Sequence, residues 1–507
     1  MHYSFLKRRM NRRGAVAALL LSATVAAQPT YATESAIDPS SLQLSSCYAR
    51  GLSDALRCGR IEQPLAADTG REGTISIHFA VIPAINPVHP KEAILAFAGG
   101  PGQSAFDAAS TFEYALRYVR ETRDILLVDQ RGTGKSGVLQ CDGMDLTEQF
   151  AFDESTADMA ALIRKQTEVC REKLQVNLQH YTTLAAASDF EAVRLALGYQ
   201  KLHLYGGSYG TRMAQQYMRQ YPDAVLSATL DGVVAFNQSF AAMGLTSDAS
   251  LDALYAYCEA SPACRQQFPQ ARQQFEALLV QLERSPLQTQ VRHPRTYQLI
   301  DLKLTRFKLQ QALRFALYSN STRALVPFAI DQASTGDYSA LVGLMLAQDI
   351  ADDLSIGVNS AVVCAEDWPF WTEQTRTEFG SSYLGAMWQL GAEAGCQVWQ
   401  VKPASRNYLE PLATNTPVLL LSGGLDPVTP PSGAELAMAQ MTNARHLIAP
   451  HATHIVATQS CAPQLISQFI AEKSAEALDS SCLEQDSRKP FMTNANGTAA
   501  PVATVQE

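Results

Sequence analysis

A chain of 507 residues is long enough for a large core and for two structural units. Its 47% hydrophobic and 18% charged residues are those of an ordinary soluble globular protein. The net charge of −9 argues against non-specific nucleic-acid binding, so no nucleic-acid partner is expected.

Lys7, Arg8, Arg9, Arg12 and Arg13 form a basic segment ahead of an apolar stretch from Gly14 to Ala27, and Val25-Ala26-Ala27 offers small residues for cleavage. Residues 1–27 therefore read as a secretory signal peptide, too short for a comfortable membrane span, and no stable membrane anchor is expected. Export, to the periplasm or the exterior, gives the ten cysteines a meaning. They fall into near neighbours: Cys47 and Cys58, Cys141 and Cys170, Cys258 and Cys264, Cys364 and Cys396, Cys461 and Cys482. Five sequential disulfides are expected, and none of the spacings is that of a zinc site.

Residues 28–45 read as a flexible lead-in, rich in small polar residues. Thr74 to Val81 alternates polar and apolar and predicts a strand with one wet face. Ala93 to Ala98 predicts a buried strand running into Gly99-Gly100-Pro101-Gly102, where flexible backbone can turn N–H groups into a cavity. A second buried strand, Asp124 to Asp129, leads into Gln130-Arg131-Gly132-Thr133-Gly134-Lys135-Ser136-Gly137. The Gly-Lys-Ser there is not a P-loop, because the first glycine of that motif falls on Asp129. Asp129 and Arg131 are expected to brace this loop by pairing and hydrogen bonding. Helices follow over 156–179 and 188–198, the second with Ser188 as its cap.

Leu202-His203-Leu204-Tyr205-Gly206-Gly207-Ser208-Tyr209-Gly210-Thr211 then joins an apolar run to a helical pattern through Gly-x-Ser-x-Gly. A nucleophile elbow needs this arrangement: serine at the apex of a tight strand-to-helix turn, glycines two residues either side, and a helix start aiming N–H groups at the reaction centre. Leu226 to Asp231 predicts another strand. Alternating strands and helices make the fold class α/β, with a mostly parallel sheet carrying helices on both faces. Residues 46–237 form its first part. From 238 to 406 the pattern turns helical without strands of the buried type, which predicts an inserted cap. Sheet-like segments return over 407–486, at Thr416 to Leu421 and Ala444 to Ile448, each ending in a polar turn. Residues 487–507 are expected to be a disordered tail.

A serine hydroxyl needs a base to take its proton, and the base needs a third group to orient it. Asp426 lies in the glycine-rich turn after the first returning strand, and His451 and His454 lie in the loop after the second. His446 falls inside that strand and is expected to pack there. The ordered set Ser208, Asp426, His454 is the favoured reading, with His451 as the rival base.

Gly99-Gly100-Pro101-Gly102, Asp129-Gln130-Arg131-Gly132-Thr133-Gly134, Gly206-Gly207-Ser208-Tyr209-Gly210 and Leu425-Asp426-Pro427-Val428-Thr429-Pro430 occur in that order. Together they resemble the proline iminopeptidase / tripeptidyl aminopeptidase branch of the α/β-hydrolases, secreted members above all. The resemblance implies an α/β-hydrolase fold, Ser208 as nucleophile, Asp426 as orienting acid, His454 as base, and Gly100 and Tyr209 as oxyanion N–H donors. It implies peptide substrates with free N-termini and no cofactor. One departure is that His451-Ala452-Thr453-His454 stands where the family's histidine usually follows glycines. Removing residues from an N-terminus requires an anion for the substrate ammonium, and the acidic pair Glu366 and Asp367 beside Trp368 is the candidate. A carboxylesterase or lipase-like hydrolase, or a silent binding protein on the same scaffold, is the alternative.

Overall fold

The computed structural model describes residues 42–66, 73–293, 296–346 and 354–498; the expected signal segment lies outside them. The described residues form strands and helices in the following order. The first half comprises β1 (Ser45–Cys47), β2 (Leu56–Pro64), β3 (Thr74–Ile82), β4 (Glu92–Phe97), α1 (Ala109–Leu116), β5 (Asp124–Val128), α2 (Leu146–Ala151), α3 (Met159–Leu174), α4 (Thr183–Ala196), β6 (Lys201–Gly207), α5 (Tyr209–Gln220) and β7 (Val225–Asp231). The helical segment comprises α6 (Met243–Ala260), α7 (Pro262–Gln267), α8 (Ala271–Arg284), a hairpin of β8 (Leu287–Arg292) and β9 (Leu299–Leu304), α9 (Arg306–Ala316), α10 (Asn320–Arg323), α11 (Val326–Ser334), α12 (Ser339–Leu346), α13 (Ile356–Glu366), α14 (Glu373–Gly380) and α15 (Tyr383–Trp399). The sheet resumes with β10 (Val418–Gly423), α16 (Pro431–Ala437), β11 (Ala444–Ala449) and α17 (Ala462–Glu472).

Nine strands form one sheet in the order β1-β2-β3-β5-β4-β6-β7-β10-β11. β1, β2 and β3 run antiparallel at one edge, with β3 also antiparallel to β5, and β5, β4, β6, β7, β10 and β11 are parallel. Because strand side chains alternate faces, one strand feeds two cores. Leu95 and Phe97 pack with Phe190, Val193, Met213 and Tyr217 of α4 and α5. Ile94 and Ala96 pack with Phe112 and Leu116 of α1 and Leu465 and Phe469 of α17. Each such large side chain removed from water contributes roughly 1.5–3 kcal/mol. Parallel strands need crossovers, and all their carboxyl ends then open on one edge, which is where the motif loops gather.

The helical segment has its own core, in which Leu254, Phe275, Leu302, Leu309, Leu313, Ile330 and Leu341 are buried together. Three sequence expectations change. The segment contains the β8–β9 hairpin, whose strands alternate buried and exposed residues and so lack the buried-strand signature. Residues 487–498 are ordered rather than a disordered tail: Phe491 is buried in the helical core, Met492 N donates to Ala324 O, and Met492–Asn494 pairs with Gly497–Thr498. The helix expected from a Ser188 cap starts earlier. Thr182 caps α4 by accepting from Ala185 N, and the Ser188 hydroxyl donates to Ala185 O inside the helix. β1 and β2 were not anticipated. All five expected disulfides are formed, and no helix among the described residues is long and apolar enough to cross a membrane.

Candidate active site

β6 ends at Gly207 and α5 begins at Tyr209, so Ser208 alone makes the turn, with φ 56° and ψ −127°. A non-glycine residue held at positive φ costs on the order of 1–3 kcal/mol, and its neighbours must over-determine it. They do: Ser208 N donates to Asp231 O at 2.9 Å, and Thr211 Oγ1 donates to Ser208 O at 2.6 Å. The glycines are required by approach. A Cβ on Gly206 would stand 2.3 Å from Gly210 O, and one on Gly210 would stand 2.1 Å from Phe97 O. The Ser208 hydroxyl has no hydrogen-bond partner among the described residues and faces a cavity that His454 also lines.

Asp426 sits in the turn after β10, 5% exposed, with every carboxylate oxygen engaged. Oδ1 accepts from the N–H groups of Val428 and Thr429, both at 2.9 Å. Oδ2 accepts from Thr429 Oγ1 at 2.7 Å and is 2.9 Å from His454 Nδ1. Burial works to raise this carboxyl, but the His454 imidazole and the Thr429 donors outweigh it and hold it below its ordinary value. The structure thus brings His454, not His451, to Asp426. The His451 carbonyl is instead bound by Asn320 Nδ2 and Ser487 Oγ. His446 packs in β11 with Nε2 2.9 Å from Ser422 Oγ. Tyr318 meets the His454 ring edge-on, with centroids 5.1 Å apart.

The turn after β4 brings Gly99 and Gly100 to the cavity beside Ser208. Gly100 and Gly102 have φ near +106° and +109°, values open to glycine. Ser355 N and Asn359 Nδ2, at the start of α13, donate to Gly102 O and Pro101 O and clamp the turn from the cap side. Tyr209, the first residue of α5, is wholly buried, with its hydroxyl 2.7 Å from Thr183 Oγ1. Its backbone N–H is one that a helix start leaves without an intrahelical acceptor.

Glu366 departs from expectation. It lies below the cavity wall, not on it. Oε1 accepts from Thr183 N at 2.7 Å; Oε2 accepts from Thr183 Oγ1 at 2.6 Å and from Tyr408 OH at 2.5 Å. These bonds tie α13 to the start of α4, and burial pushes the carboxyl up despite them. Asp367 does line the cavity. It receives Trp371 Nε1 on Oδ1, and Phe240 N and Ser239 Oγ on Oδ2. The braces expected of Asp129 and Arg131 exist, though the two do not pair with each other. Asp129 takes Ser104 Oγ, Phe106 N and Lys135 N and lies 3.1 Å from His78 Nδ1. Arg131 makes a bidentate pair with Asp189, both bonds 2.7 Å.

Two residues near the site were given no part by sequence reading. Thr429 joins Asp426 to His454, its Oγ1 3.1 Å from Nδ1. Asp231, fully buried, accepts from Val456 N and Ala457 N, just past His454, and from Tyr205 OH. Burial pushes its carboxyl up to about 6. Its signal was positional: an acidic residue closing a buried strand beside the elbow.

The cavity over Ser208 encloses about 1390 Å³. That exceeds the roughly 300–1,000 Å³ of an ordinary small-molecule site. Its floor is Gly100, Ser208 and His454; α3, α9, α13 and α15 supply the walls.

The profile of the family described as "alpha/beta hydrolase fold" matches residues 92–459. Among curated proteins, YuaR from Escherichia coli (strain K12) is 27% identical over 252 residues, covering 46% of this chain and 49% of that one. Serine protease Hip1 of Mycobacterium tuberculosis (strain ATCC 25618 / H37Rv) is 34% identical over 146 residues, covering 27% of this chain and 28% of that protein. Tripeptidyl aminopeptidase of Streptomyces coelicolor is 35% identical over 146 residues, 27% of each chain. The match therefore spans about half the length of the first relative and about a quarter of the other two.

Proposed function

The chain belongs to the alpha/beta hydrolase family, and on that premise we propose that it is an exported serine exopeptidase cleaving peptide bonds near free N-termini. The observation that carries the chemistry is the buried Asp426–His454 pair set against a strained Ser208 at one cavity floor. Ser208 Oγ attacks the scissile carbonyl carbon while His454 Nε2 takes its proton. Asp426 keeps the Nδ1 proton in place and steadies the imidazolium. The N–H groups of Gly100 and Tyr209 receive the oxyanion. Collapse of the tetrahedral intermediate breaks the C–N bond, and His454 returns its proton to the departing amine. Water, deprotonated by His454, then attacks the ester and frees Ser208.

The size of the cavity suits a peptide, and the relatives named as a serine protease and a tripeptidyl aminopeptidase support the same substrate class. Asp367, on the cavity wall and still holding acceptor capacity, is the proposed anchor for the substrate ammonium. Glu366 is not part of that anchor. Five disulfides suit an oxidising compartment and support export.

The test is a panel of aminoacyl, dipeptidyl and tripeptidyl amides, free and N-blocked, with Ser208→Ala as control. The proposal expects free N-termini to be preferred and Asp367→Asn to raise KM for them selectively. Equal turnover of N-blocked substrates, or turnover confined to esters, contradicts it and points to the carboxylesterase reading.

A further inference from the structure

Arg314 is a buried charge that the proposed mechanism does not use. It is on α9, 8% exposed, and lines the cavity above Ser208 and His454. Its guanidinium is stacked by three rings: Trp388 at 4.4 Å, Phe315 at 4.7 Å and Tyr318 at 5.3 Å from their centroids. Among the described residues its one hydrogen bond is from Nη2 to Tyr318 OH at 2.7 Å, and Nε is enclosed with no partner there. No carboxylate pairs with it among the described residues, whereas the other cavity cation, Lys308, is neutralised by Glu154 at 2.9 Å. Burial without an anion pulls the Arg314 pKa down. A buried cation lacking a counter-charge is costly to keep. Stacking on aromatic faces fixes the plane of the guanidinium and leaves its edge N–H groups for a planar, two-oxygen acceptor. Gln311, one turn earlier on the same helix, also lines the cavity and has an enclosed Oε1 without a partner among the described residues, an acceptor suited to a peptide N–H.

We infer that Arg314 is a carboxylate-binding subsite of this cavity, so that the preferred substrates are peptides carrying a carboxylate, either a free C-terminus or an acidic side chain, within reach of the reaction centre. The inference rests on the peptidase reading above and deepens it. The link to the chemistry is short. Arg314 holds the Tyr318 hydroxyl, and the Tyr318 ring bears on His454. Of the carboxylates lining the cavity, Asp142, Glu148, Glu154 and Asp367, the last stands on another wall as the proposed ammonium anchor and complements Arg314. A short zwitterionic peptide has that charge pattern.

The experiment compares peptides of one sequence with free or amidated C-termini, and with aspartate or asparagine just beyond the scissile bond, on wild type, Arg314→Lys and Arg314→Met. The wild type is expected to favour a carboxylate-bearing member by about 10- to 100-fold in kcat/KM, the range of a charge-assisted hydrogen-bonded pair. The arm that shows the preference tells a C-terminus from a side chain. Arg314→Met is expected to bring the ratio near one through KM, and Arg314→Lys to retain part of it. Calorimetric binding of free-acid and amidated peptides to Ser208→Ala reads the same preference without turnover. A wild-type ratio near one, or a ratio that survives in folded Arg314→Met, overturns the inference while leaving the peptidase reading standing. Absence of cleavage of every peptide strikes the peptidase reading instead, and the calorimetry then decides on Arg314 alone.

Discussion

Replacing Asp426 by asparagine tests the acid–base pair atom by atom. Oδ1 accepts two backbone N–H groups, from Val428 and Thr429. An amide nitrogen there would oppose two fixed donors, so the asparagine carbonyl must take that side. Its NH2 then faces Thr429 Oγ1 and His454 Nδ1, where Oδ2 accepts now. The hydroxyl can rotate to accept, but the imidazole must accept through Nδ1, which moves its proton to Nε2. An Nε2–H imidazole cannot take the Ser208 proton. The cost of that wrong tautomer is about 10⁴ in kcat, or about 5 kcal/mol in the barrier. The assay is steady-state turnover of a tripeptidyl amide together with the acylation rate by a fluorophosphonate, both of which should fall in parallel. Stability supplies an independent check. The wild-type carboxyl is held below its unfolded value, so the stability it contributes is present above that value and is lost as pH falls through the depressed one. The wild type should lead Asp426→Asn at neutral pH and lose the lead in acid. A kcat within tenfold of wild type refutes the tautomer reasoning.

Glu366→Gln places an amide among donors from Thr183 and Tyr408, so a loss of about 1–3 kcal/mol in stability is expected with selectivity for free N-termini retained; lost selectivity at unchanged Tm would restore Glu366 as an anchor. Asp231 has a raised pKa, so its stabilising contribution is full below the unfolded value near 4 and is lost as pH rises through about 6. The stability gap between wild type and Asp231→Asn should shrink by roughly 2–3 kcal/mol across that window, read by denaturant unfolding, and a gap independent of pH contradicts the assignment. Cys364–Cys396 closes a separation of 32 residues between α13 and α15. The double serine variant should lose about 3–4 kcal/mol, measured by denaturant midpoint, and a loss below about 1 kcal/mol denies the bond that role.

The elbow was legible because its constraints are local: Gly206 and Gly210 answer to contacts within a few residues of Ser208 and at Phe97. Asp426 and His454 were legible through their place after apolar strands. What sets His454 apart from His451 is its Nδ1 lying 2.9 Å from Asp426 Oδ2, a contact between segments after two different strands that no local pattern carries. Glu366 was misread for a similar reason. An acidic pair at a helix end looks alike whether it faces a cavity or a buried Thr183, and the packing of α13 on α4 decides which. β2 escaped because Gly59 breaks its alternation and it holds one β-branched residue, Ile61. The β8–β9 hairpin escaped because its strands are half exposed. Arg314 sits in an ordinary amphipathic helix, and only the three rings around it distinguish it from a surface arginine.

The central claim is that Ser208 is a nucleophile activated by His454. Treating the folded protein with a fluorophosphonate probe and mapping the modified peptide tests this most directly. The account predicts one equivalent of label, on Ser208, absent from Ser208→Ala and strongly slowed in His454→Ala. A folded wild-type protein that takes no label, or takes it on another residue, contradicts the account.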